Sequence, residues 1–480
     1  MEPKTISALT SVLLLSACTM IPTYTRPSPP VPDAWSAPAA ADRPAASPPA
    51  AETPWDAFFS DPDLRAVVRQ ALDESRDLRL AALGVEKAAA LFRIQRSELA
   101  PAVGAQAADS RSRLPRDVSG TGRAETVEQA SVQVGFTSWE IDLFGRLRSL
   151  KAAALEQYLA ADSTRRAVQI AVVGAVSRAY LTLAADHEAL SLARSTLESQ
   201  QASLELIRRS RGLGMASDLD LRRAESQVAG ARAAVAAYTG LVAADRNALN
   251  LVVGSPVPDH LLPTDLETVT APTELAPDLP SDVLLGRPDI VAAEHRLRAA
   301  NAMIGAARAA FFPRISLTAA AGTMSAQLDG LFDAGSGTWT FNPVAVAPIF
   351  AGGSLKANLK AVETERAMAV AQYEKAIQTA FAEVGDALAY RRTLGEQRAS
   401  LEDLVAALEE TYRLADARYR GGIDGYLSVL VAQQSLFAAQ QELVAVRLAE
   451  ESNRVGLYTA LGGGAPADAG PEGGDGGPRS

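Results

Sequence analysis

The chain has 480 residues and a formal net charge of −10 at pH 7. With no basic stripe to neutralise a phosphate backbone, it argues against a nucleic-acid partner. Alanine and leucine are abundant and aromatics make up 5%, a balance that suits long helices. The single cysteine, Cys18, rules out an intrachain disulfide.

In chain order, Lys4 supplies a positive start and residues 6–15 an apolar stretch too short to span a bilayer. It ends Leu15-Ser16-Ala17-Cys18, so residues 1–17 read as a lipoprotein signal peptide and Cys18 as the lipid acceptor. A free cysteine in an ordinary export signal is the alternative. Residue 19 is Thr, not Asp; resemblance to bacterial lipoproteins then implies retention at the outer membrane. Acyl chains add affinity by burying CH2 groups. Residues 18–60 are rich in Pro and Ala and read as an extended, lipid-anchored arm.

A helix is predicted over about residues 61–98, stopped by Pro101. Two strands follow over about 101–143, joined by a loop around 114–128. Val132, Val134 and Phe136 alternate there with Ser131, Gln133, Gly135 and Thr137. Such alternation suits a lipid-facing barrel with a watery lumen, or an ordinary sheet with one buried face. A long helix over about 146–211 carries Val176, Leu183, Leu190, Leu197 and Leu204 at heptad spacing, a coiled-coil seam. At 1.5 Å per residue it runs roughly 100 Å. Gly212 and Gly214 mark a reversal, and a helix returns over about 217–253.

The chain then repeats itself at a shift of about 212 positions. Asp77-Leu78-Arg79-Leu80-Ala81-Ala82, closing at Pro101, is answered by Asp289-Ile290-Val291-Ala292-Ala293, closing at Pro313. Gly214-Met215-Ala216-Ser217-Asp218-Leu219 is answered by Gly422-Ile423-Asp424-Gly425-Tyr426-Leu427. The expected plan is a first structural repeat over 61–262, a linker over 263–287, a second repeat over 288–462 and a disordered tail over 463–480. The second repeat holds a helix over about 288–310, strands over about 313–350 with a loop around 325–337, a long helix over 354–420, glycines 421 and 422, and a helix over about 426–461. Pro288 and Asp289 suit a helix start. After the signal, no uninterrupted apolar run has transmembrane-helix length, so a membrane span must be made of strands. Four strands cannot close a barrel, and lipid tolerates no open edge, so a membrane reading forces oligomerisation.

The motifs of an enzyme are missing from the sequence. His187, His260 and His295 are scattered, and His187-Glu188 has Ser191 where a zinc protease carries its second histidine. No phosphate-cradling glycine loop and no Gly-x-Ser-x-Gly elbow occur. The expectation is no catalysis, no metal and no cofactor beyond a covalent lipid on Cys18.

Leu285-Gly286-Arg287-Pro288-Asp289-Ile290, with Ala299-Ala300-Asn301-Ala302-Met303-Ile304-Gly305-Ala306-Ala307-Arg308-Ala309-Ala310-Phe311-Phe312-Pro313, is similar to the signature of the TolC/OprM outer-membrane factors. Trp139-Glu140-Ile141-Asp142-Leu143-Phe144-Gly145-Arg146-Leu147-Arg148 resembles that family's strand-to-helix junction. Asp333-Ala334-Gly335-Ser336-Gly337 and Gln372-Tyr373-Glu374-Lys375-Ala376 resemble its OprM-like lipoprotein branch. The resemblance implies an α+β membrane protein: a trimeric, twelve-stranded outer-membrane β-barrel with four strands per protomer, continuous with a periplasmic α-helical coiled-coil barrel. It implies the exit duct of a tripartite efflux pump for small toxic compounds, with a periplasmic adaptor and a proton-driven inner-membrane RND transporter as partners. Rival readings are a duct for type I protein secretion or heavy metals, or a non-channel scaffold lipoprotein.

The resemblance places the gate at the periplasmic tip. Leu427 matches the constriction leucine. Val431 stands where an aspartate ring is expected, Gln434 where an arginine is, and Ser428 where another aspartate is. Asp218, Asp220 and Asp424 are the candidates to supply acidity instead. Leu427 and Val431 could equally be seam residues of a coiled coil. The turns at Gly212, Gly214, Gly421 and Gly422 are implied adaptor-docking tips, or simply tight reversals.

Overall fold

The computed structural model describes residues 19–35, 53–269 and 280–463. Cys18 and the export segment before it, parts of the arm and linker, and residues 464–480 of the tail lie outside the described residues.

In chain order the main elements are α1 (Pro62–Glu74), α2 (Arg76–Ser97), β1 (Gly104–Leu114), β2 (Glu125–Ile141), α3 (Arg146–Gly212), α4 (Asp218–Val253), α5 (Pro288–Ala309), β3 (Arg314–Ser325), β4 (Gly337–Val346), α6 (Ser354–Arg420) and α7 (Tyr426–Ala460). The two long helices, α3 and α6, are each 67 residues and contain no proline. The chain divides into two compact units, each drawing on both sequence repeats. The described residues of the first fall within Met1–Ser28, Gly84–Asp162 and Ala292–Glu374, those of the second within Pro29–Leu83, Ser163–Val291 and Lys375–Ser480.

The first unit holds one antiparallel sheet, ordered β1-β2-β3-β4, with β1 and β4 as its edges. Directly paired residues share a face. One face gathers Val132, Val134 and Phe136 of β2, Leu317, Ala319 and Ala321 of β3, and Trp339 and Phe341 of β4. The other gathers Gln106, Gln133, Gly135, Thr318, Thr340 and Asn342. Trp339 and Phe341 are exposed, so the apolar face is not the inside of this unit. β2 begins at Glu125, earlier than the loop read to residue 128, because Glu125 and Glu128 pair with Leu114 and Arg111.

A bulge interrupts β2 between Phe136 and Trp139, where Ser138 adopts φ 57° and donates its N–H to Thr318 Oγ1 at 3.2 Å. Three steps on β2 are matched by two on β3, so Trp139 stays on the apolar face beside Phe136, ring centroids 6.0 Å apart. Gly135 and Gly322 allow β2 and β3 their close approach: an added Cβ would lie 2.2 Å from Ala319 O and 2.0 Å from Val132 O respectively.

The second unit is helical. The expected first helix is two: α1 ends at Glu74, and buried Ser75 (φ −60°, ψ 129°) starts α2 anew. Gly254, the left-handed cap of α4, packs directly on this break. Val176, Leu183, Leu190 and Leu204 are buried along α3. In α6 Leu394 is buried, and Leu401 and Leu408 are only half-buried. An 18-residue stretch of α3 is apolar enough to cross a bilayer by composition, but most of it is buried in protein. Its Val172, Val173, Val176 and Tyr180 are core residues.

Candidate gate, tips and anchor

Both long helices end in the same hydrogen-bonded reversal. Met215 N–H bonds Ser210 O and Ile423 N–H bonds Arg418 O, with Gly214 at φ 74° and Gly422 at φ 69° as the left-handed residues. This is the Schellman pattern, and an L side chain is strained at its C′ position. Gly212 and Gly421 do not share the positive φ expected of them. Gly212 is the last residue of α3, and neither is among the positive-φ glycines.

The three aspartates proposed as replacements for an acidic ring each have a local partner. Ser217 caps α4 and exchanges hydrogen bonds with Asp220 in a capping box. Asp218 pairs with Arg211 at 2.5 Å. Asp424 is gripped by the Arg418 guanidinium through two contacts at 2.5 and 3.1 Å. That hydrogen-bonded grip holds its carboxyl below the ordinary range.

Behind the turns, Leu204, Ile207, Leu221, Val228, Tyr426, Val429 and Leu430 form a buried cluster. Leu427 and Val431 do not join it. They are 48% and 53% exposed, one turn apart on the opposite side of α7. Within one copy of the chain they are not seam residues. Leu219, the first-repeat counterpart of Leu427, is exposed too, as are Leu213, Met215 and Ile423 in the turns.

The arm is held by Glu294, which no sequence pattern singled out, and by two residues of the quoted signature, Asn301 and Gly305. Buried Glu294 of α5 accepts from Arg26 Nε at 3.0 Å and Nη2 at 2.6 Å, from Tyr24 Oη at 3.1 Å and from Arg298 Nη2 at 2.7 Å. Asn301 donates to Pro22 O, and an added Cβ on Gly305 would meet Ile21. Arg26, one of two cations in the proline-rich arm, was an available signal. In the second unit Arg287, within the quoted motif, is buried and donates to Asp289, Glu383 and Ala460 O. It ties the start of α5 to α6 and to the end of α7.

Strands apolar on one face and open at both edges, in one chain with two 67-residue helices, define a membrane-channel subunit. Comparison with known proteins gives the family. The chain matches outer membrane efflux proteins over residues 67–255 and 279–463. It is 48% identical over 459 residues to the toluene efflux pump outer membrane protein TtgF of Pseudomonas putida, covering 94% of this chain and 95% of that one. It is 46% identical over 466 residues to the antibiotic efflux pump outer membrane protein ArpC of Pseudomonas putida, covering 97% and 96%. The open state of the Neisseria gonorrhoeae MtrE outer membrane channel superposes with a TM-score of 0.85 at 36% identity, covering 93% and 99%. The chain belongs to the outer membrane efflux protein family. Its fold, combining a helical barrel segment with a β domain, and its place in the outer membrane are those of an efflux channel.

Proposed function

We propose that three copies of this chain form the exit duct of a tripartite pump for small organic toxicants, solvents and antibiotics among them. The observation that carries the reading is the sheet with both edges free. Lipid tolerates no unpaired edge, and β1 of a second copy beside β4 removes it while keeping the apolar faces outward. Exposed Leu80, Leu91 and Ile94 on α2 support the same assembly, since a neighbouring copy would cover them. Names of relatives at 46–48% identity, given for toluene and antibiotic efflux, support the cargo.

Cys18 carries the lipid anchor in this reading, directly before the docked arm. The exposed turns at Gly214 and Gly422 meet a periplasmic adaptor, which links them to a proton-driven RND transporter in the inner membrane. Leu427 and Val431 narrow the tip, each repeated threefold by assembly, and the ring is apolar because Asp218, Asp220 and Asp424 are engaged in their own turns. A strain lacking the gene is expected to become sensitive to several antibiotics, dyes, detergents and solvents, and the intact gene to restore resistance. Sensitisation to metal salts alone, or a secretion defect without sensitisation, would refute the cargo assignment.

A further inference from the structure

The sheet that leaves β1 and β4 as edges also holds the pattern for pairing them. Its β2–β3 seam joins the second strand of the first sequence repeat to the first strand of the second. A second copy with its β1 beside β4 joins second repeat to first in the same sense. That contact is the β2–β3 seam with the two repeats exchanged, so its register follows residue by residue.

Pro101 answers Pro313 just before β1 and β3, so Gly104 answers Ser316, Ala108 answers Ala320 and Ser112 answers Met324. Gly104 pairs with Gly135, and Ser316 pairs with Val344, so Gly135 answers Val344. By the same step Gln133 answers Asn342 and Ser131 answers Thr340. The long helices give an independent check. From Gly135 to Arg146, where α3 starts, is eleven positions (146 − 135), and from Val344 to Ser354, where α6 starts, is ten (354 − 344). The extra position is the bulge residue of β2.

We propose that β4 pairs with β1 of a second copy in one register, placing Thr340 opposite Ser112 of that copy and Phe341 opposite its Arg111. The pairs transcribe Ser131–Met324 and Val132–Thr323 of the β2–β3 seam. Trp339 then stands opposite Arg113 of the second copy, as Ala130 stands opposite Ser325. The inference rests on the three-copy reading given above. Side-chain chemistry, which plays no part in the transcription, agrees with it. Ala105 and Ala107 pair with Val134 and Val132, so by the period of two Arg111 and Arg113 share the apolar face. This register sets that face of β1 against the apolar face of β4. A slip by one residue would set Trp339 against the polar face. Arg111, Arg113, Trp339 and Phe341 are all exposed in a single copy, and the register lays the two guanidinium groups beside the two rings, a cation–π arrangement. Val344 and Ser110 answer Gly135 and Gly322, so the seam between copies has ordinary strand spacing where β2 and β3 approach closely.

The test is disulfide formation in the full-length protein in outer-membrane vesicles, with Thr340→Cys and Ser112→Cys combined and each single variant as the control for Cys18. Within one copy β1 and β4 lie three strand spacings apart, roughly 14 Å, beyond disulfide reach, so a bond between them joins two copies. Linked two-copy and three-copy species are expected on a non-reducing gel. Thr340→Cys with Ser110→Cys or Leu114→Cys, two residues off on the same face, should link about tenfold more slowly, their Cα atoms being roughly 7–8 Å apart. Should the first combination fail to fold, Phe341→Cys with Arg111→Cys reads the same register on the other face. Faster linkage of an offset pair, or no linkage in either matched pair, would overturn the proposal. The mass of the unlinked parent in detergent separates the two failures: three copies would overturn the register alone, and a single copy would overturn the three-copy reading with it.

Discussion

Replacing Glu294 by Gln keeps the side chain's size and removes the charge on which the arm is docked. Four donor contacts from three side chains converge on this buried carboxylate, the shortest being 2.6 Å from Arg26 Nη2 and 2.7 Å from Arg298 Nη2. A hydrogen bond to a charged group contributes about 1.5–3 kcal/mol. The Arg26 side chain is 47% exposed, which screens its share. The arm should therefore lose about 2–4 kcal/mol of docking, and its opening equilibrium should rise roughly thirtyfold to several-hundredfold. The thiol-labelling rate of a cysteine placed at Ile21, half-buried against Gly305, reads that equilibrium. In a double-mutant cycle with Arg26→Ala, the two changes should couple by about 1–3 kcal/mol. Labelling faster by less than threefold, or a coupling under about 0.5 kcal/mol, would refute the reasoning. The pH dependence has a definite sign. Burial works to raise the Glu294 pKa, but hydrogen bonds from Arg26 and Arg298 outweigh it and hold the carboxyl below its ordinary value of 4.5. Docking is thus fully present above that value and is lost only as the pH falls through the lower one.

Gly135→Ala and Gly322→Ala each force a Cβ into the opposing strand's backbone, and should prevent the proposed three-copy assembly from being recovered as an oligomer in outer-membrane extracts. Gly104→Ala, with nothing within 4 Å, should leave it intact. Gly214→Ala and Gly422→Ala should cost about 1–2 kcal/mol each from the left-handed backbone, whereas Gly212→Ala should be neutral or slightly stabilising in thermal melts. Val431→Asp puts a charge on an exposed face of α7, threefold in the proposed assembly. Single-channel recordings should show altered conductance and stronger cation selectivity, and unchanged currents would remove Val431 from the gate.

Long-range periodicity made much of this fold legible. A proline-free heptad pattern carried α3 from Arg146 to its end, and glycine turns marked both reversals. Strand alternation around Val132, Val134 and Phe136 identified the apolar face. Features set by tertiary contact were not legible. The helix breaks at Ser75 without proline or glycine, at the place where Gly254 packs against it. Glu294 lies outside every quoted motif, and only the arm lying on it makes it a dock. At the tip, counting acids suggested that Asp218 and Asp424 could line a gate. Their pairing with Arg211 and Arg418 depends on turn geometry that composition does not reveal.

The bulge at Ser138 settles a question of parity. A strand in a membrane wall has only two sides, so each residue is odd or even with respect to lipid. Phe136 and Trp139, three positions apart, have opposite parity, yet the extra residue puts both on the apolar side. Below the bulge the count is reset, and Glu140 lands on the polar side, where it meets Arg146 and Arg314 at 2.8 and 3.1 Å. A strand that kept every residue but lost the bulge would carry the opposite parity from there to the start of α3. Trp139 would face the lumen, Glu140 would face hydrocarbon, and the ionic clasp between strand and helix would come undone.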